Sequence, residues 1–244
     1  DLVYNWDFDG IHPENKDLTS PVMSIGQTIS TSRVDWIENF RTGFSISLTQ
    51  SFSYNIYKND FIPGIKGELQ AFKSLKYLGL CTDIYMFAYL NGTEKIGGRL
   101  RGIRDDQYFS SESGESQLYA CETPAAIVIN FDIPIKLFAT NWSKVPLINK
   151  ISLMKYFNFE LQVSPFIDIA LTHNKATDSN FSLKDRFYAG GLEVLVFPQK
   201  WKGMTVRASL GVDLGRLLLK GKINQDWRDS VSKYELTIGL GLHY

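Results

Sequence analysis

From Met204 to Leu214 the side chains alternate without a slip. Met204, Val206, Ala208, Leu210, Val212 and Leu214 fall on one parity, and Thr205, Arg207, Ser209, Gly211 and Asp213 on the other. A strand points successive side chains to opposite faces, so this segment has one apolar face and one that carries charge. Phe44–Tyr57 divides the same way. Phe44, Ile46, Leu48, Phe52, Tyr54 and Ile56, interrupted by Gln50, oppose Ser45, Ser47, Thr49, Ser51, Ser53 and Asn55. Runs of this kind predict about ten strands, near 2–9, 21–33, 42–57, 64–73, 77–91, 123–138, 156–173, 186–198, 204–219 and 233–244. No segment reads as a long amphipathic helix, and the connection 140–155 has room for one short turn.

Soluble sandwiches alternate too, so the choice between a sandwich and a membrane barrel rests on length and on the connections. Several of the runs exceed ten residues, longer than the usual five or six of soluble sheets. Their polar faces carry Asp132, Glu160, Asp168, Arg207 and Asp213, which suit a wet lumen. Long connections (10–20, 58–63, 92–122, 174–185, 220–232) alternate with short ones (34–41, 74–76, 199–203), as in barrels with outward loops and periplasmic turns. The exception is 139–155, long where a turn is expected. Trp36, Trp142, Trp201 and Trp227 sit at strand ends or in connections, where an amphipathic ring rests at headgroup level. These features predict an all-β fold, an antiparallel transmembrane β-barrel occupying residues 1–244 as one domain, with membrane lipid as its surroundings.

Composition removes other classes. Lysine plus arginine equals aspartate plus glutamate at 26 each, so no net field draws nucleic acid, and no nucleic-acid partner is expected. No run of about 18 apolar residues supplies a transmembrane helix, a condition a strand of roughly ten alternating residues escapes. Cys81 and Cys121 are too few for a disulfide framework, and whether they bond is left open. His12, His173 and His243 stand far apart, outside any metal-ligand or nucleophile spacing. His173 with Asp178 and Ser179 imitates an external hydrolase site, but a histidine at a strand end is more simply a polar rim residue. The "GGRLRG" stretch at Gly97–Gly102 lacks the Gly-Lys-Ser/Thr ending of a phosphate-binding loop. No catalytic residue, metal or cofactor is therefore assigned. A chain beginning at Asp1, with neither methionine nor signal peptide, reads as a processed protein or a fragment.

Two stretches carry a resemblance. The end of the chain, "YELTIGLGLHY", puts Tyr234, Leu236, Ile238, Leu240, Leu242 and Tyr244 on one face and stops on an aromatic. It resembles the sorting signal of bacterial outer-membrane barrels, with Tyr234, Leu240, Leu242 and Tyr244 as the signal residues. In the longest outward connection, Leu100-Arg101-Gly102-Ile103 resembles the V/I-R-G-F/Y motif of the BamA-type superfamily of assembly factors and two-partner secretion transporters, the bacterial surface antigen type of barrel. "AAIVINFDIPI" (125–135), "SPFIDIAL" (164–171) and the hairpin "FYAGGLEVLVFPQKWKGMTVRASLGVDL" resemble the family's following strands in order. The resemblance covers about residues 95–244. Ile103 stands where an aromatic is usual, and Ala170 where glycine is.

The resemblance implies a Gram-negative outer-membrane protein that inserts or translocates other proteins without nucleotide or metal. Its partners would be client outer-membrane or secreted proteins and other subunits of an outer-membrane complex. It further implies that the long loop folds inward and that Arg101 pairs with an acid on the inner wall. The residues support such a pair independently. Asp168 shares a parity with Glu160, Gln162 and Ser164, and a buried guanidinium needs a carboxylate to offset its desolvation. Asp168 is the expected acceptor, with Asp132 and Glu160 as alternatives, and Gly102 lets the backbone turn tightly or approach the wall. A structural barrel or narrow channel subunit without insertase activity is the alternative function.

Overall fold

In the computed structural model the described residues are 2–6, 22–56, 59–103, 107–110, 116–119, 122–146, 150–151, 157–174, 179–181, 186–200, 204–218 and 234–241. Ten strands form one antiparallel meander: β1 (Leu2–Trp6), β2 (Val22–Ile37), β3 (Phe40–Asn55), β4 (Asp60–Ser74), β5 (Gly79–Tyr89), β6 (Ala125–Asp132), β7 (Phe159–Asn174), β8 (Arg186–Pro198), β9 (Val206–Asp213) and β10 (Tyr234–Leu240). Each pairs with the next in chain order. Among the described residues no ladder joins β1 to β10.

Two expected strands end early. The run 123–138 breaks after Asp132, where Pro134 supplies no N–H to the ladder, and resumes as a short strand, Ile135–Ala139, paired with the lower part of β7. The run 204–219 stops at Asp213, and Leu214–Leu218 coils into one helical turn, α1. Within the connection 140–155, Trp142–Lys144 forms a single 3-10 turn.

Burial is inverted relative to a water-soluble sheet. On β7 the polar parity is the hidden one: Glu160, Gln162, Ser164 and Asp168 are buried, whereas Ile167 is exposed. On β9, Arg207, Ser209 and Asp213 are buried and Leu210 is exposed. β10 exposes Tyr234, Leu236, Ile238 and Leu240, the last at 72%. Ile46, Leu48 and Phe52 of β3, Phe61 and Ile65 of β4, and Met86 of β5 extend the same apolar outer face.

The sheet curls around its polar face. At one end the tight β2–β3 turn tucks underneath: Phe40 is 3% exposed, and Gln162 on β7 donates to the carbonyl of Asn39 at 3.4 Å. Gly43 makes that bend sterically feasible, because at φ +118° a Cβ would lie 1.8 Å from the carbonyl oxygen of Arg33. At the other end the β5–β6 connection enters the curl and occupies it.

Candidate functional site: the inward loop and its two fastenings

The β5–β6 connection enters through a two-residue ladder, Glu94–Lys95 against Glu122–Thr123, and makes a 3-10 turn at Gly97–Arg99. Its apolar side chains Ile96, Leu100 and Ile103 are buried, and they pack with Tyr85, Phe87, Ala126, Val128, Ala170, Phe187 and Ala189 of the inner wall. Those wall positions interrupt an otherwise polar face, so the loop covers an apolar patch that an empty interior would leave wet. Burying side chains of this size contributes about 1.5–3 kcal/mol each. Ile103 and Ala170, where the two resembled segments depart from the usual aromatic and glycine, are both members of this cluster.

Arg101 is the polar anchor of the loop. Its Nε and Nη2 donate to the two oxygens of Asp168 at 3.0 and 2.6 Å, and its backbone N–H donates to Asp168 Oδ2 at 2.8 Å. The remaining edge of the guanidinium bonds both oxygens of Asp132, Nη1 at 2.6 Å and Nη2 at 3.1 Å. Asp168 and Asp132 are thus both acceptors. The β6–β7 register explains it: Asn130 lies opposite Asp168 and Asp132 opposite Phe166, so the carboxylates are diagonal neighbours that one planar fork can span. The face of the fork rests on the Phe166 ring, 3.7 Å from its centroid.

Glu160 is elsewhere. It lies opposite Ala139 near the other end of β7 and pairs with Lys136 at 2.6 Å. Burial works against the Arg101 charge, but the bonds from Asp168 and Asp132 outweigh it and raise the guanidinium above its ordinary value. It stays protonated at any working pH.

Gly102 follows at φ +103° and brings two backbones into contact. A Cβ on it would sit 2.5 Å from the Val212 nitrogen, and a Cβ on Gly211 would sit 2.5 Å from the Arg101 carbonyl. The Gly102 N–H donates to Glu235 Oε2 on β10 at 3.1 Å, so the loop spans the interior to the last strand. Asn130 Nδ2 holds the Arg99 carbonyl at 2.8 Å. Next to the ionic centre, Glu193 is fully buried, with Arg207 Nε at 3.2 Å and Arg101 Nη1 at 4.0 Å.

A second fastening lies at the loop's entrance. Glu94 accepts from Tyr85 at 2.5 Å and Tyr89 at 3.0 Å, and pairs with Lys66 at 2.7 Å. Burial raises the Glu94 carboxyl, but the bonds from Lys66 and Tyr85 together outweigh it and hold it below the ordinary carboxylate value. Arg99 stacks on Tyr85, 3.4 Å from the ring centroid, and approaches Glu68 at 3.8 Å.

Sequence reasoning did not single out Gly211, Glu235, Glu193 or the Glu94 cluster. Gly211 looked like one more member of the polar parity, and only its register against the loop reveals its role. Of the expected sorting residues, Tyr234 and Leu240 lie on the outer apolar face, and Leu242 and Tyr244 lie outside the described residues. Cys81 is a buried free thiol, and Cys121 lies outside the described residues. His173 stacks on Phe181 and contacts Asn180 at 3.2 Å, whereas Asp178 is outside the described residues. Among the described residues no helix is long and apolar enough to cross a membrane, which says nothing about crossing by strands. Comparison with protein-family models, with curated proteins and with solved structures finds no match to this chain.

Proposed function

We propose that the sheet closes into an antiparallel β-barrel spanning a bacterial outer membrane, with residues 94–103 folded into its lumen. There it assists the insertion or translocation of client proteins, as the BamA-type resemblance implies. The observation that carries the reading is the inverted burial: carboxylates hidden on the inside of the curl, a continuous belt of exposed aliphatic and aromatic side chains outside. In water that belt would be an aggregation hazard, and in hydrocarbon it is the required surface. The loop supports the specific resemblance, because Arg101 and Gly102 reach the inner wall as the family motif implies.

The mechanism rests on the ends of the sheet. Among the described residues β1 and β10 are the two ends of the sheet. A seam between them would be its opening joint, and an unpaired strand edge templates an incoming strand by β-augmentation. The experiment is replacement of the assembly factor in a depleted strain, with insertion of a reporter barrel as readout. Restored insertion supports the reading, and a folded, membrane-embedded protein that restores none overturns it. Migration in detergent gels that does not change on boiling would overturn the barrel itself.

The second reading is a structural barrel without insertase activity. It is favoured by the tucked β2–β3 turn, which together with the loop fills both ends of the interior. Conductance that appears only when residues 94–103 are deleted would identify a narrow channel held shut by the loop.

A further inference from the structure

Alternation sends every second side chain of a strand outward, and the register shows which of them share a row. In most of the sheet those outward rows are apolar. Ile127, Ile129 and Phe131 of β6 lie opposite Leu171, Ile169 and Ile167 of β7, and β9 meets β10 with Ala208 opposite Ile238 and Leu210 opposite Leu236. β2 and β3 depart from this. Gln27 lies directly opposite Gln50, and both are exposed. The rows on either side of them are Ile25 opposite Phe52 and Ile29 opposite Leu48, all four exposed, and Ile65 of β4 lies next to Gln50. Two amides thus stand inside the apolar belt. Thr31, two rows on, adds an exposed hydroxyl to the same face. Arg33 and Asp35 share the parity, but they stand within five residues of Glu38 in the β2–β3 turn, where a rim charge meets water.

A primary amide carries two N–H donors and an accepting carbonyl. Among the described residues the Gln27 and Gln50 side chains make no hydrogen bond. Even bonded to one another, the two would leave N–H groups over. Long lysine and arginine side chains reach the headgroups from within the belt, and glutamine is too short to do so past a full apolar row. Acyl chains offer no acceptor, so in hydrocarbon the leftover groups call for another protein surface. The chemistry of the pair selects the partner. It is uncharged, so it favours no oppositely charged surface, and an amide is its own complement. A twofold axis along the membrane normal sets the pair of one copy against the same pair of another at equal depth, donors facing acceptors in both directions. The flanking rows then pack apolar against apolar.

Resting on the membrane-spanning reading above, we propose that the outward face of β2 and β3 around Gln27 and Gln50 is the contact surface for a second copy of this chain, side by side in the membrane plane. The test mixes donor-labelled and acceptor-labelled full chain in phosphatidylcholine vesicles and follows energy transfer as added lipid dilutes the protein. Transfer in the native chain should fall along a monomer–dimer curve, and Gln27→Leu/Gln50→Leu should raise the dissociation constant about ten-fold. Both substitutions turn an apolar side chain toward lipid, so the variant should still float with the vesicles and still shift on boiling in detergent gels. Thr82→Val removes a hydroxyl from the outward parity of β5, opposite Phe131, and should leave the dissociation constant unchanged. Native transfer no greater than random proximity overturns the proposal and leaves the membrane barrel standing. A dissociation constant that is the same in the glutamine variant overturns the assignment to this face, as does an equal weakening by Thr82→Val. Failure of the native chain to float with vesicles overturns the membrane-spanning reading and the proposal together.

Discussion

The loop is fastened at two places that differ in how much water reaches them. At Arg101 the guanidinium side chain is 10% exposed and its partners Asp132 and Asp168 are 4% and 0%. At Glu94 the carboxylate is 21% exposed and Lys66 is 35%. The two sites use the same kind of bond, yet their energetics diverge. Taking charges out of water is costly, so the inner site holds only while every partner is present, and losing one leaves the others buried and unpaired. The entrance site keeps its solvent, and its ion pair adds little while remaining sensitive to salt and acid. One fastening fixes where the loop sits, and the other adjusts how firmly its entrance is held.

Arg101→Ala gives the largest effect expected of this contrast. It strands Asp132 and Asp168, and should cost about 3–5 kcal/mol in urea unfolding, with residues 94–103 opened to protease. Asp168→Asn should follow at about 3 kcal/mol and Asp132→Asn at about 2, because Asp168 accepts three bonds from Arg101, including its backbone N–H, and Asp132 accepts two. Equal losses at the two positions would show that the backbone bond adds nothing. Gly211→Ala puts a methyl 2.5 Å from the Arg101 carbonyl and should cost about 1–3 kcal/mol by lifting the loop from β9.

Glu94→Gln should cost about 1 kcal/mol or less, and its signature is pH rather than magnitude. The folded carboxyl lies below its ordinary value. Its stabilisation is therefore complete above the unfolded carboxylate value of about 4.3, and it is lost as pH falls through the lower, folded value. Protease protection of the loop entrance should weaken on that acid limb in the native chain and become flat there in the variant. An unchanged acid limb would show that Glu94 does not set it.

Much of this was legible in the alternation. Parity alone placed Asp168, Asp132 and Glu160 on the inner face, and all three are buried there. Parity does not tell height. Glu160 is eight residues from Asp168 along β7, roughly 26 Å at strand rise, far beyond one arginine's reach. Register supplies that coordinate, and register is set by partners the sequence does not name. The strand ends that were overrun have local causes. Pro134 breaks one ladder, and Leu214–Leu218 leaves β9 for a helical turn although its apolar residues continue the strand pattern. Gly211 and Glu235 matter only because the loop arrives beside them, a fact of tertiary geometry with no local signature.

The bond from Gly102 to Glu235 joins residues 133 positions apart. It also has a meaning in time. Residues 94–103 are synthesised well before the strands that receive them, and contacts of such separation carry a large closure entropy and form late. Because its acceptors span β6 to β10, the loop cannot be fully seated until the last strand is in place. Its protection from protease during refolding should therefore be a clock for completion of the whole sheet.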